Sequence, residues 1–164
     1  MRFALTLAVL ATALLAAGCG FHLRGQATLP FSTLHVPGNS PLLAELRRNI
    51  RAGTPTKLVA TPQQAEAVLE VSNELREKVI LSLHTSGRVR EFQLRYRVAF
   101  RVHDGKGQPW LAPGEIILTR DISFNDGQVL AKESEEALLY RDMQSDMVQQ
   151  LMRRLGAAKL TPPV

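Results

Sequence analysis

Cys19 is the only cysteine in the chain, so an intramolecular disulfide and a multi-thiolate zinc site are both excluded. The chemistry open to a lone cysteine here is acylation. Met1-Arg2-Phe3 leads into an apolar run from Ala4 to Ala17, and Leu15-Ala16-Ala17-Gly18 places small residues directly before Cys19. A membrane span needs about 20 apolar residues, and this run is shorter. It has instead the charged and apolar regions of a secretory signal, ending in a lipobox-like cleavage and lipidation site. The lipobox leucine stands at position 15 rather than at position 16. Residues 1–18 are therefore expected to be removed, leaving Cys19 as an acylated N-terminus. Two or more acyl chains anchor stably, each buried CH₂ contributing about 0.8 kcal/mol.

The second chemical signal is a row of arginines. Arg95, Arg97 and Arg101 alternate with apolar residues and so project from one side of a strand, with Arg88 and Arg90 at the turn before it. Guanidinium forks bind phosphates and carboxylates bidentately. The same row is also satisfied by acidic cross-strand partners, for which Glu70, Glu74 and Glu77 are available. For an exported lipoprotein the polyanions within reach are lipid head groups. Aromatic residues make up 5% of the chain, too few for a nucleic-acid surface built on base stacking.

Catalytic patterns are absent. His22, His35, His84 and His103 show no metal-ligand spacing, and there is no nucleophile elbow, P-loop or dinucleotide fingerprint. Asp121 with Asp126, and Glu133 with Glu135 and Glu136, read as a strand edge and a helix N-terminus, where carboxylates complement the dipole. No enzyme activity and no cofactor are expected.

The elements that must position these residues follow from periodicity. Thr33 to Val36 reads as a short strand. Ser40-Pro41 opens a helix with a capping hydroxyl and a proline suited to the first turn; Leu42, Leu43, Leu46 and Ile50 share its apolar face, and Gly53 ends it. Residues 54–65 read as a connector. From Ala67 to Leu83 apolar residues occupy odd positions, weakened at Asn73 and Glu77, which predicts a long strand carrying an irregularity. Phe92, Leu94, Tyr96, Val98, Phe100 and Val102 give the cleanest alternation, expected of a sheet covered on one side. A strand over about 115–124 and a helix over about 128–155 complete the pattern, the helix with a stripe of Leu139, Met143, Met147, Val148, Leu151 and Leu155. The expected architecture is α+β: a two-layer sandwich with two helices packed on one face of a four-stranded mixed sheet. Its divisions are a signal peptide at 1–18, a lipidated tether at 19–32, a single domain at 33–157 and a flexible tail at 158–164.

Cys19-Gly20-Phe21-His22-Leu23-Arg24-Gly25 resembles the start of the LptE lipopolysaccharide-assembly lipoproteins. Glu91-Phe92-Gln93-Leu94 and Leu130-Ala131-Lys132-Glu133 are similar to that family's central strand and its entry to the last helix. The resemblance spans the chain. It implies two helices on a four-stranded sheet and a non-catalytic protein of the outer membrane. Such a protein is lipid-anchored on the periplasmic side and plugs the lumen of the LptD β-barrel, assists barrel assembly and binds lipopolysaccharide. The family's basic positions fall on Lys132 and near Thr85; Thr85 is not basic, and Arg88 and Arg90 stand a few residues on. The candidate lipopolysaccharide-binding residues are thus Lys132, Arg88, Arg90, Arg95 and Arg97. A lipid-binding or adaptor lipoprotein of another envelope transport system is the competing expectation.

Overall fold

The computed structural model describes residues 28–159. The expected signal peptide, Cys19, most of the expected tether and residues 160–164 lie outside the described residues. Besides two single-turn 3-10 helices (Pro62–Gln64 and Asp126–Gln128), the strands and α-helices follow in order: β1 (Thr33–His35), α1 (Pro41–Gly53), β2 (Lys57–Val59), β3 (Ala67–Leu83), β4 (Val89–His103), β5 (Pro109–Ser123) and α2 (Val129–Gly156). The five strands form one sheet ordered β2-β1-β3-β4-β5. β1 runs parallel to β2 and β3, while β3, β4 and β5 form an antiparallel meander. The α+β class and the mixed sheet stand, but the sheet has five strands, not four. The fifth is β2, which lies inside the segment read as a connector. Three residues between Pro55 and Pro62 are too few to show a period, and β2 exists through its pairing with β1, from Thr33↔Lys57 to His35↔Val59.

α1 begins as local chemistry dictates. The Ser40 side chain accepts a hydrogen bond from the Leu43 amide at 3.3 Å, and Pro41 occupies the first turn. Gly38 precedes them at φ +98°, a backbone conformation that strains any residue with a Cβ, and a Cβ there would also crowd Leu43 Cδ1 at 2.8 Å. Arg47 donates to the carbonyls of Val36 (3.0 Å) and Gly38 (2.7 Å), tying α1 to the chain that enters it.

The core joins Leu42, Leu43, Leu46 and Ile50 of α1, Met143, Met147, Val148, Leu151 and Leu155 of α2, and Leu94, Tyr96, Val98, Phe100 and Val102 of β4. It extends past both limits of the 33–157 unit, since Leu29, Phe31 and Ala158 are buried in it. All the fully buried residues of α2 lie from Met143 onward. In its first half Leu139 and Tyr140 pack, partly buried, against the core, and polar contacts add to them: Lys78 pairs with Glu136 at 2.6 Å, and the Tyr140 hydroxyl donates to the Glu77 carbonyl at 2.7 Å.

The reason lies in β3. Its register against β4 shifts between Val71 and Asn73. Before the shift, Leu69 and Val71 lie opposite the buried Val102 and Phe100. After it, Glu74, Arg76, Lys78 and Ile80 lie opposite Val98, Tyr96, Leu94 and Phe92. One bulged residue thus flips the pleat. The odd-numbered leucines expected in the core face outward beyond it, and Leu75 is 40% exposed. Arg76 and Lys78 take their place beneath α2, stacking on aromatic rings: Arg76 lies 4.8 Å from the Tyr96 ring centre and Lys78 lies 4.4 Å from that of Phe92. β5 also differs from its expected range, beginning at Pro109 rather than near Glu115. It is an edge strand, where Pro109 and Pro113 cost no ladder bond, and prolines and Gly114 mask the alternation in the sequence.

Candidate functional site

Two segments far apart in sequence meet at one end of the sheet. The first is the β3–β4 hairpin, closed by His84 N–H to Arg88 C=O (2.8 Å) and Gly87 N–H to His84 C=O (2.9 Å). Gly87 turns it at φ +80°. The second is the connection from β5 to α2. Phe124 N–H donates to Arg90 C=O at 2.8 Å and fastens this connection to the hairpin, and the Asn125 side chain accepts from Gly127 N–H at 2.9 Å. Between them lies an open cleft of about 690 Å³, lined by Arg88, Arg90 and Lys132 among others, with Thr85, Ser123 and Asp126.

Each cation has a different degree of preorganisation. Lys132 is the most fixed: its Nζ donates to Ser123 Oγ at 3.0 Å and contacts Glu135 at 2.8 Å, with its side chain 18% exposed. Arg90 donates from Nε to Ser82 Oγ and from a terminal nitrogen to Glu91, both at 3.1 Å. The Ser82 hydroxyl, then the Arg90 guanidinium, hold the Glu91 carboxyl below the usual carboxylate range. Arg88 reaches across the mouth to Asp126 at 3.7 Å, both side chains well exposed. An exposed pair at that separation contributes little and opens readily to a competing anion. The cleft can therefore present three cations to phosphate or carboxylate oxygens from two walls.

The strand arginines do not line this cleft. Arg95 and Arg97 sit on the uncovered face of the sheet. Arg95 donates to Gln93 Oε1 at 2.9 Å, and Arg97 lies between Glu115 (3.4 Å) and Glu77 (3.9 Å). Arg101 pairs with Glu70, whose carboxyl is held low chiefly by that bond. Glu70 and Glu77 are thus the acidic partners the alternation allowed for. Glu74 points the other way and accepts from the Tyr96 hydroxyl at 2.6 Å. Burial, and then this bond, push the Tyr96 phenol well above its ordinary value. Among the described residues no cluster of three or more His, Cys, Asp or Glu could hold a metal, and no helix is long and apolar enough to cross a membrane.

The second wall of the cleft escaped sequence reading. Asn125-Asp126-Gly127 signals the end of a strand, but nothing local to it says that it packs beside a hairpin some 40 residues earlier. The one pointer was Lys132, from the resemblance.

Comparison with known proteins gives consistent matches. The family profile LptE, described as lipopolysaccharide-assembly, matches residues 31–155. The LPS-assembly lipoprotein LptE of Pectobacterium atrosepticum is 31% identical over 170 residues, covering 94% of this chain and 86% of the relative. That of Photorhabdus laumondii is 28% identical, covering 92% and 84%. Among solved structures, lipoprotein B from Nitrosomonas europaea is similar with a TM-score of 0.73 and 45% identity, covering 84% of this chain and 91% of that one. The rare lipoprotein B from Shewanella oneidensis has a TM-score of 0.66 and 25% identity, covering 76% and 94%.

Proposed function

The chain belongs to the LptE lipopolysaccharide-assembly family, and on that premise we propose that it is the non-catalytic partner and plug of an LptD-type outer-membrane β-barrel, offering its basic cleft to lipopolysaccharide on the way to the outer leaflet. The observation that carries the proposal is the convergence of Arg88, Arg90 and Lys132 on one cleft from two separate segments. Lipopolysaccharide bears phosphates on its lipid A and acids on its core sugars. Guanidinium and ammonium groups recognise these by charge-assisted hydrogen bonds. Lys132 is already ordered by Ser123 and Glu135, so less side-chain freedom remains to be lost on binding.

Arg95 and Arg97 take a different part in this reading. The uncovered sheet face sets Leu75, Arg97 and Ile117 in one cross-strand row. That mixture of exposed apolar and paired charged side chains suits docking against the polar interior wall of a barrel. Acylation at Cys19 holds the protein at the periplasmic side of the outer membrane, and the folded unit lies within the lumen.

Isolation of the full-length protein from detergent-solubilised membranes tests the partnership. A large β-barrel is expected to accompany it in a stable one-to-one complex. Recovery without any barrel would contradict it and favour an adaptor lipoprotein of another envelope system.

A further inference from the structure

Exposed apolar side chains crowd the end of the molecule that carries the basic cleft. Among the described residues, eight large hydrophobics are exposed, and five of them are Ile80, Leu81, Leu83, Val129 and Leu130. Leu83 directly precedes the hairpin and lies opposite Val89, a cleft-lining residue. Val129 and Leu130 open α2 directly after Gln128, which also lines the cleft, and Leu130 is 80% exposed. Scattered single leucines on a surface need no explanation, but Leu83 and Leu130 each stand within two residues of cleft-lining residues on opposite walls, beside three cations. The β3 register explains the exposure of the three hydrophobics on that strand. The shifts near Ile80, Ser82 and Leu83 break the alternation, so neighbouring residues on this strand both lose cover.

We propose that this apolar rim binds the acyl chains of the same ligand whose phosphates enter the cleft, so that the site reads an anionic glycolipid as an amphiphile rather than its sugar head alone. The inference rests on the lipopolysaccharide reading above and adds the second half of the ligand to it. Charge complementarity selects the occupant. An acyl chain attached to a phosphorylated sugar brings apolar surface to the rim at the moment its phosphates reach Arg88, Arg90 and Lys132. A purely apolar partner would leave those cations unanswered. Because the cleft is open at its mouth, chains extending from a bound head group have a path over Leu83 and Leu130.

The test compares two probes on the full-length protein. One is hexa-acylated, diphosphorylated lipid A dispersed below its aggregation concentration. The other is the same diphosphorylated disaccharide fully deacylated. The L83S/L130S variant changes only exposed positions, and circular dichroism checks that it folds as the parent does. It is expected to lose about tenfold in affinity for lipid A, as removal of two apolar contact surfaces requires, with affinity for the deacylated disaccharide unchanged. Equal affinity of the parent protein for both probes would overturn the inference while leaving the basic cleft intact. Unchanged lipid A binding by L83S/L130S would overturn it too, and so would equal loss for both probes. Unchanged lipid A binding together with loss of the co-isolated barrel would assign the rim to a protein partner instead. Failure of the parent to bind either probe would remove the lipopolysaccharide reading and this inference with it.

Discussion

The double variant R90E/K132E is expected to bind lipopolysaccharide more than about tenfold more weakly than the parent, with its fold retained. Each hydrogen bond to a charged group contributes about 1.5–3 kcal/mol where solvent screening is modest, and about 1.4 kcal/mol corresponds to a tenfold change in affinity. Reversal removes two such donors and adds repulsion toward an incoming phosphate. The structural cost is smaller. K132E gives up the bond to Ser123 and sets a carboxylate three residues before Glu135, a like-charge helix spacing that costs a few tenths of a kcal/mol. R90E sets a second carboxylate beside Glu91, on an exposed turn. Lipopolysaccharide binding by the parent should weaken as salt rises, and the residual binding of the variant should respond less. R95E serves as the control: its guanidinium donates only to Gln93 and stands outside the cleft, so binding should match the parent. Titration of purified proteins at two salt concentrations measures all three.

Leu46→Ala is expected to cost about 2–5 kcal/mol of folding stability, the range for truncating a fully buried leucine. Leu46 is 0% exposed on the apolar face of α1 and belongs to the cluster that unites α1, the C-terminal half of α2 and β4. For a domain of this size a loss of about 3 kcal/mol lowers Tm by roughly 10 °C. Leu130→Ala, at a position 80% exposed, should leave Tm within about 2 °C of the parent, because almost no buried surface is removed. Differential scanning calorimetry of the two variants separates the residues that hold the fold from those kept on the surface.

The sequence carried most of the scaffold and part of the site, and the division has physical causes. β4 was legible because Leu94, Tyr96, Val98, Phe100 and Val102 all face the core without interruption, so periodicity and burial agree residue by residue. α1 was legible because Ser40, Pro41 and the Leu42–Ile50 stripe are all local signals. β2 was not: its existence depends on a parallel partner, and Lys57-Leu58-Val59 has no pattern of its own. β3 was half legible. The weak points at Asn73 and Glu77 marked an irregularity, but not that one inserted residue would carry Leu75 outward and bring Arg76 under α2. The strand arginines showed which face they share, while the pairing of Arg97 with Glu77 and Glu115 and of Arg101 with Glu70 became visible only with the register. The cleft is the least local feature of all. Arg88, Arg90 and Lys132 become neighbours through the bond from Phe124 to Arg90 and the packing of a connection against a hairpin, and no short-range pattern encodes that meeting.

The central claim is that the cleft, and not the arginine-bearing sheet face, meets lipopolysaccharide. The most direct measurement is photocrosslinking in intact cells from a photoreactive residue placed at Asp126, at the mouth of the cleft, and in a second strain at Thr119, beside Arg95 on the uncovered face. Lipopolysaccharide adducts from position 126 and barrel adducts from position 119 are the predicted result. Lipopolysaccharide adducts from position 119, with none from position 126, would contradict it.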